Sequence, residues 1–89
     1  MGAPTSTVHS ACECQAVLFA SLDRQHLVLR SWAVLGVRAQ ALAYSVHPEA
    51  RPFDLVWSCP FCGRNALRSF EPTALRWLAP PADAEAPGP

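Results

Sequence analysis

The chain has no lysine, no isoleucine and one methionine, and it carries no excess of charge. All seven basic residues are arginine, and seven carboxylates balance them to a formal net charge of zero. Neutrality argues against a dominant electrostatic grip on nucleic acid. It also removes any polybasic patch for a membrane surface. Alanine abundance with missing lysine and isoleucine fits a GC-rich genome, which predicts a bacterial source. Long hydrophobic runs are missing too. "QAVLFASL" and "SWAVLGV" are the longest apolar stretches, and both fall far short of a span of about 20 residues. No basic segment leading into an apolar one opens the sequence, so no export signal is expected and a cytoplasmic location is. No H-E-x-x-H, phosphate loop or Ser-His-Asp set is present. The expectation is therefore a protein that is not an enzyme. Asp54 and Glu71 read as solvated carboxylates, and His26 and His47 as loop or surface histidines.

What the chain does have, for its 89 residues, is four cysteines and nine prolines. Small polar residues at 1–10 and a Pro/Ala-rich stretch at 81–89 read as unstructured ends, leaving 11–80 as one folded domain. A domain of that size has a modest core and often needs a staple. In a reducing cytosol disulfides are rare, which directs the cysteines towards metal.

The hydrophobic pattern predicts mainly β structure. "QAVLFASLDRQHLVLRSW" reads as two strands around a polar turn at Asp23–Gln25. Leu27 and Leu29 fall on one face of the second strand, and Val28 and Trp32 on the other. After Gly36, residues 37–47 fit either a strand or a helix. Leu42, Tyr44 and Val46 would share a strand face; Leu35, Ala39, Leu42 and Val46 make a helical stripe. Strand is the preferred reading. "FDLVWSC" alternates, with Phe53, Leu55, Trp57 and Cys59 on one face. "NALRSF" is its returning strand. "EPTALRWL" predicts a short C-terminal helix, with Pro72 at its first position and Leu75 and Leu78 one turn apart.

The cysteines fall into two pairs, Cys12–Cys14 and Cys59–Cys62, the latter followed by Gly63. Cys-x-x-Cys-Gly suits a metal knuckle. Two thiolates must converge on one ion, Pro60 restricts the curl between them, and Gly63 supplies the positive φ at the exit. In C-x-C the two side chains share one side of an extended chain. Together the four can close a Cys₄ tetrahedron around one structural zinc ion, with no open position for water. His9, three residues before Cys12, is the alternative fourth ligand.

"CPFCG" with flanking strands resembles the zinc-ribbon and rubredoxin-like class of small folds. That resemblance implies a small β-hairpin or ribbon domain, a structural zinc and a binding or scaffolding role. The "CEC" pair departs from the repeated C-x-x-C of those folds. "CPFC" also resembles the glutaredoxin active site, which implies a thiol–disulfide oxidoreductase with Cys59 as nucleophile and Cys62 as resolving thiol. Its position argues against this: only 27 residues follow Cys62, too few for the strands and helices of that fold. The leading expectation is a zinc-binding protein-interaction module or adaptor. A nucleic-acid-binding ribbon is the other alternative. Phe61 at the knuckle tip, Arg64, Arg68 and Trp77 are the candidate partner-binding residues. Arginine beside aromatic rings can anchor a protein or stack on bases.

Overall fold

The computed structural model describes residues 4–78. Seven strands form two antiparallel sheets. β1 (Ser6–Ala11), β2 (Val17–Leu22), β3 (Val28–Leu35) and β4 (Val37–Gln40) follow one another in order across the first sheet. β5 (Leu42–Val46), β6 (Phe53–Ser58) and β7 (Asn65–Phe70) do the same in the second. Within each sheet consecutive strands pair, so the topology needs only hairpins and one crossing between layers, from β4 to β5.

The crossing lies at Ala41, between β4 and β5. The Ala41 N–H donates to the Ser31 carbonyl (3.3 Å), and the Ser31 hydroxyl donates to the Ala41 carbonyl. Both polar groups of this buried residue are thereby satisfied where the strand changes sheets. Residues 37–47 are thus strand, broken in the middle, and not helix. Leu42, Tyr44 and Val46 do share a face, but it is the solvent face: Leu42 is 77% exposed and Tyr44 59%. The small residues Ala43 and Ser45 point inwards. Ser45 donates to the His26 carbonyl.

The core lies between the inner faces. Val8, Leu18, Ala20, Leu22 and Ala33 from the first sheet meet Phe53, Leu55, Trp57 and Ala66 from the second. Phe53, Leu55 and Trp57 form the buried side of β6, and Cys59, just past its end, is buried in step with them, as the alternation predicts. Full burial of each large apolar side chain stabilises by about 1.5–3 kcal/mol. Trp57 and Arg68 also carry polar contacts across the layers. Trp57 Nε1 donates to the Phe19 carbonyl (3.0 Å), and Arg68 donates to Ser10 Oγ (2.9 Å) and the Ala11 carbonyl (3.0 Å).

Three expectations need correction. First, β1 begins at Ser6, inside the stretch read as unstructured. Val8 is buried and Ser6 to Ala11 pair with Leu22 to Val17, so small polar residues here are strand residues with an inward apolar partner. Second, the C-terminal helix is a single 3₁₀ turn, Pro72–Ala74, and no α-helix occurs among the described residues. Leu75 is already extended and packs on the core, while Leu78 bridges to Thr5 by two backbone hydrogen bonds. Tertiary pairing wins over a three-residue propensity. Third, a bulge at the start of β3 sets Leu22 opposite Val28 and Ser21 opposite Arg30. It places Val28 and Trp32 on opposite faces. The predicted tail at 81–89 lies outside the described residues.

Candidate metal centre

The two cysteine pairs occupy two hairpin turns at the same end of the molecule. The first turn links β1 to β2. Cys12 N–H donates to the Ala16 carbonyl (2.8 Å), and Gln15 N–H donates to the Cys12 carbonyl (2.9 Å). The second links β6 to β7. Cys59 N–H donates to the Arg64 carbonyl (2.9 Å), and Gly63 N–H donates to the Cys59 carbonyl (2.9 Å). The two turns therefore share one plan. In each, the residue after the second cysteine hydrogen-bonds back to the first cysteine and has positive φ: 78° at Gln15 and 76° at Gly63. "CECQ" is the same device with one residue fewer, which explains why C-x-C can replace C-x-x-C. Left-handed backbone is natural for Gly63 and costly for Gln15.

All four sulfurs lie within 4.8 Å of one another. Cys12 and Cys62 Sγ are 3.5 Å apart, and Cys14 and Cys59 Sγ 3.6 Å. A tetrahedral ion with metal–sulfur bonds of about 2.3 Å requires sulfurs about 3.8 Å apart. A disulfide requires about 2.05 Å. The spacing therefore fits four ligands around an ion, and all four cysteines are free. Cys12 and Cys59 are buried, Cys14 is half-buried and Cys62 is exposed.

Backbone amides and crowding set the thiol acidities. The Cys14 N–H, helped by neighbouring thiols and opposed by burial, lowers Cys12 to about 7. At Cys14 the Ala16 N–H pulls down, but burial and the other three thiols together push the group up to about 12. At Cys62 the Arg64 N–H also pulls down, and burial with the Cys12 and Cys59 thiols leaves it raised. Four adjacent thiols cannot all ionise by themselves. A bound cation would supply the missing charge, and the amides already aimed at the sulfurs would support it.

His9 takes no part. It lies three residues before Cys12 and so faces the opposite side of the extended chain, exposed and against Phe19. The four candidate partner-binding residues do not form one surface. Phe61 is half-buried and packs against the core. Arg64 pairs with Glu13, tying the two turns together through an exposed ion pair. Arg68 is the inter-sheet clasp described above. Trp77 sits at the opposite end of the strands, with its ring 6.2 Å from His26 and under the Arg24 guanidinium. His26 in turn stacks on Phe53 with centroids 4.4 Å apart.

The Glu13–Arg64 bridge and the role of Gln15 were not read from the sequence. The second had a signal, since Gln15 follows its cysteine pair as Gly63 follows the other. No helix among the described residues is long and apolar enough to cross a membrane. No family model, curated protein or solved structure matches the chain.

Proposed function

We propose that this chain is a small binding module whose fold is held by one structural zinc ion in a closed Cys₄ site. The observation that carries it is the approach of four cysteine sulfurs to within 4.8 Å from two turns of common plan. Four protein ligands leave no position for water or substrate, so the ion would act on folding and not on catalysis. Such a module acts by contact through its surface. The resemblance of "CPFCG" to zinc-ribbon and rubredoxin-like folds supports the same reading. It requires reduced thiols, and hence a reducing compartment.

The geometry does not favour the thiol–disulfide alternative. The close sulfur contacts of Cys59 and Cys62 run to the other turn and not to each other. A strand follows Cys62, where a redox site would use a helix N-terminus to lower a thiol pKa. Elemental analysis of untagged protein tests the proposal. One zinc per chain is expected. Protein that is fully reduced, folded and metal-free would refute it, and one iron per chain would keep the site but replace the metal.

A further inference from the structure

The outer face of the first sheet carries a feature that neither the metal nor the core explains. The strand register aligns His9, Phe19, Trp32 and Gln40 in one row across β1 to β4. The His9 and Phe19 rings are 6.0 Å apart. Phe19 and Trp32 are 5.4 Å apart and nearly parallel, with 9° between their planes. The Arg38 guanidinium lies 4.8 Å above the Trp32 ring. Arg30, exposed, occupies the neighbouring row on β3. Solvent faces of antiparallel sheets are ordinarily polar. Three rings in a row on such a face are not needed for the core, which lies on the other side.

The chemistry of this face is one-sided. Its other positions are Thr7, Ala11, Val17, Ser21, Val34 and the arginines already named. No Asp or Glu occurs among them, so a neutral chain has a locally positive, aromatic face. Beside the row, where the chain leaves β4 for β5, an open cleft of about 880 Å³ is lined by Arg30, Trp32, Arg38, Gln40 and Leu42 among others. The Gln40 side chain offers an amide donor and acceptor next to the Trp32 ring.

We infer that this face binds single-stranded nucleic acid, with bases stacked on Phe19 and Trp32 and phosphates met by Arg30 and Arg38. Aromatic side chains on a sheet accept any base through its π-face, and arginine tracks the backbone. The spacing favours a single strand over a duplex. The rings are farther apart than the roughly 3.4 Å between stacked bases, so they suit an extended chain with separated bases. Two arginines without a wider basic patch give a weak electrostatic share, in keeping with zero net charge. The inference uses none of the four cysteines and holds for the folded protein whichever metal it contains.

Fluorescence anisotropy with a labelled 12-nucleotide oligo(dT) or oligo(U), on protein as purified, tests it. Binding should weaken only gently with salt. Two phosphate contacts on a single strand predict a log–log slope of about −1.4. Arg38→Gln, at an exposed position, should reduce that slope to about −0.7. Trp32→Ala should weaken binding about 5- to 150-fold. Tyr44→Ala, on the solvent face of the other sheet, should leave it unchanged, and circular dichroism of each variant checks the fold. Absence of binding by folded protein at low salt would overturn the inference. So would equal binding of the corresponding duplex, or affinity unmoved by both Arg38→Gln and Trp32→Ala. Equal capture of a poly-glutamate peptide would assign the face to an acidic protein segment instead and would also overturn it.

Discussion

On the proposed zinc reading, removing the ion should unfold this protein, and the size of the effect can be worked from the structure. A domain is typically stable by about 0.05–0.15 kcal/mol per residue. For residues 4–78 that amounts to roughly 4–11 kcal/mol. Among the described residues the largest fully buried apolar side chains are Trp57, Phe53, Leu18, Leu22 and Leu55. Much of the remaining core is alanine, which contributes little burial. A structural zinc site contributes about 10–16 kcal/mol of apparent binding free energy at neutral pH. The ion's share is therefore as large as the whole expected stability. A strong chelator should abolish the cooperative transition and shift the emission of the buried Trp57 to the red. Cys14→Ser should do the same without chelator, because the C-x-C pair is as much part of the tetrahedron as the C-x-x-C pair. His9→Ala should do nothing. Thermal denaturation followed by circular dichroism, with metal content measured on the same samples, reads all three. For a domain of this size about 1 kcal/mol corresponds to 4–8 °C in Tm. Metal-free protein melting within about 8 °C of the loaded form would limit the ion's contribution to about 1–2 kcal/mol and refute the reasoning.

Three other outcomes are expected. Cys14, pushed up to about 12, and Cys62, raised above its ordinary value, both hold protons at pH 7. An entering ion must displace at least these two, so affinity should rise with pH by at least about 100-fold per unit and metal should be lost on acidification. Competition with a chromophoric chelator across the neutral range measures this, and a flat profile would contradict it. The positive φ at Gln15 and Gly63 predicts opposite effects of glycine and alanine. Gln15→Gly should stabilise by up to about 1 kcal/mol, and Gly63→Ala should destabilise by about 1 kcal/mol or more through backbone strain, since no atom lies within 4 Å of the added Cβ. Chemical denaturation of the metal-loaded variants would expose either sign as wrong. Trp57→Phe removes the indole N–H that meets the Phe19 carbonyl and leaves a small void; a loss of about 2–4 kcal/mol is expected in the same assay.

The cysteine cluster and the strands that carry it were legible because their signals are local. Phe53, Leu55 and Trp57 alternate within a single strand, with Cys59 continuing the period just past its end, and the buried side of β6 follows from that period alone. Cys59, Cys62 and Gly63 lie within five residues and specify their own turn. The less familiar Cys12–Cys14 pair became intelligible only when hydrogen bonds showed Gln15 in the role of Gly63. The contacts that the candidate partner-binding residues make within the chain were hidden for a different reason. Arg64, Arg68 and Trp77 looked free because nothing local to them takes up their charge or surface. Their partners are Glu13, Ser10 and His26, each at least 50 residues away in sequence. The start of β1 was missed likewise, since Ser6-Thr7 becomes strand only through pairing with Leu22 and Ser21.

The same dependence on pairing separates the two ends and two faces of the molecule. At one end the cysteine turns join the sheets, with Glu13–Arg64 beside them; at the other, His26 stacks between Phe53 and Trp77. The cysteine cluster at one end, where an ion is proposed, and the ring stack at the other join the layers across a core of few large side chains. Residues on the outer face of the first sheet are then released from structural duty. His9, Trp32, Arg30 and Arg38 contribute at most cross-strand contacts of a few tenths of a kcal/mol to about 1 kcal/mol each. Their replacement should therefore cost little stability. That low structural cost, together with the absence of carboxylates from the face, is why the proposed nucleic-acid contact can be tested there by substitution without unfolding the protein.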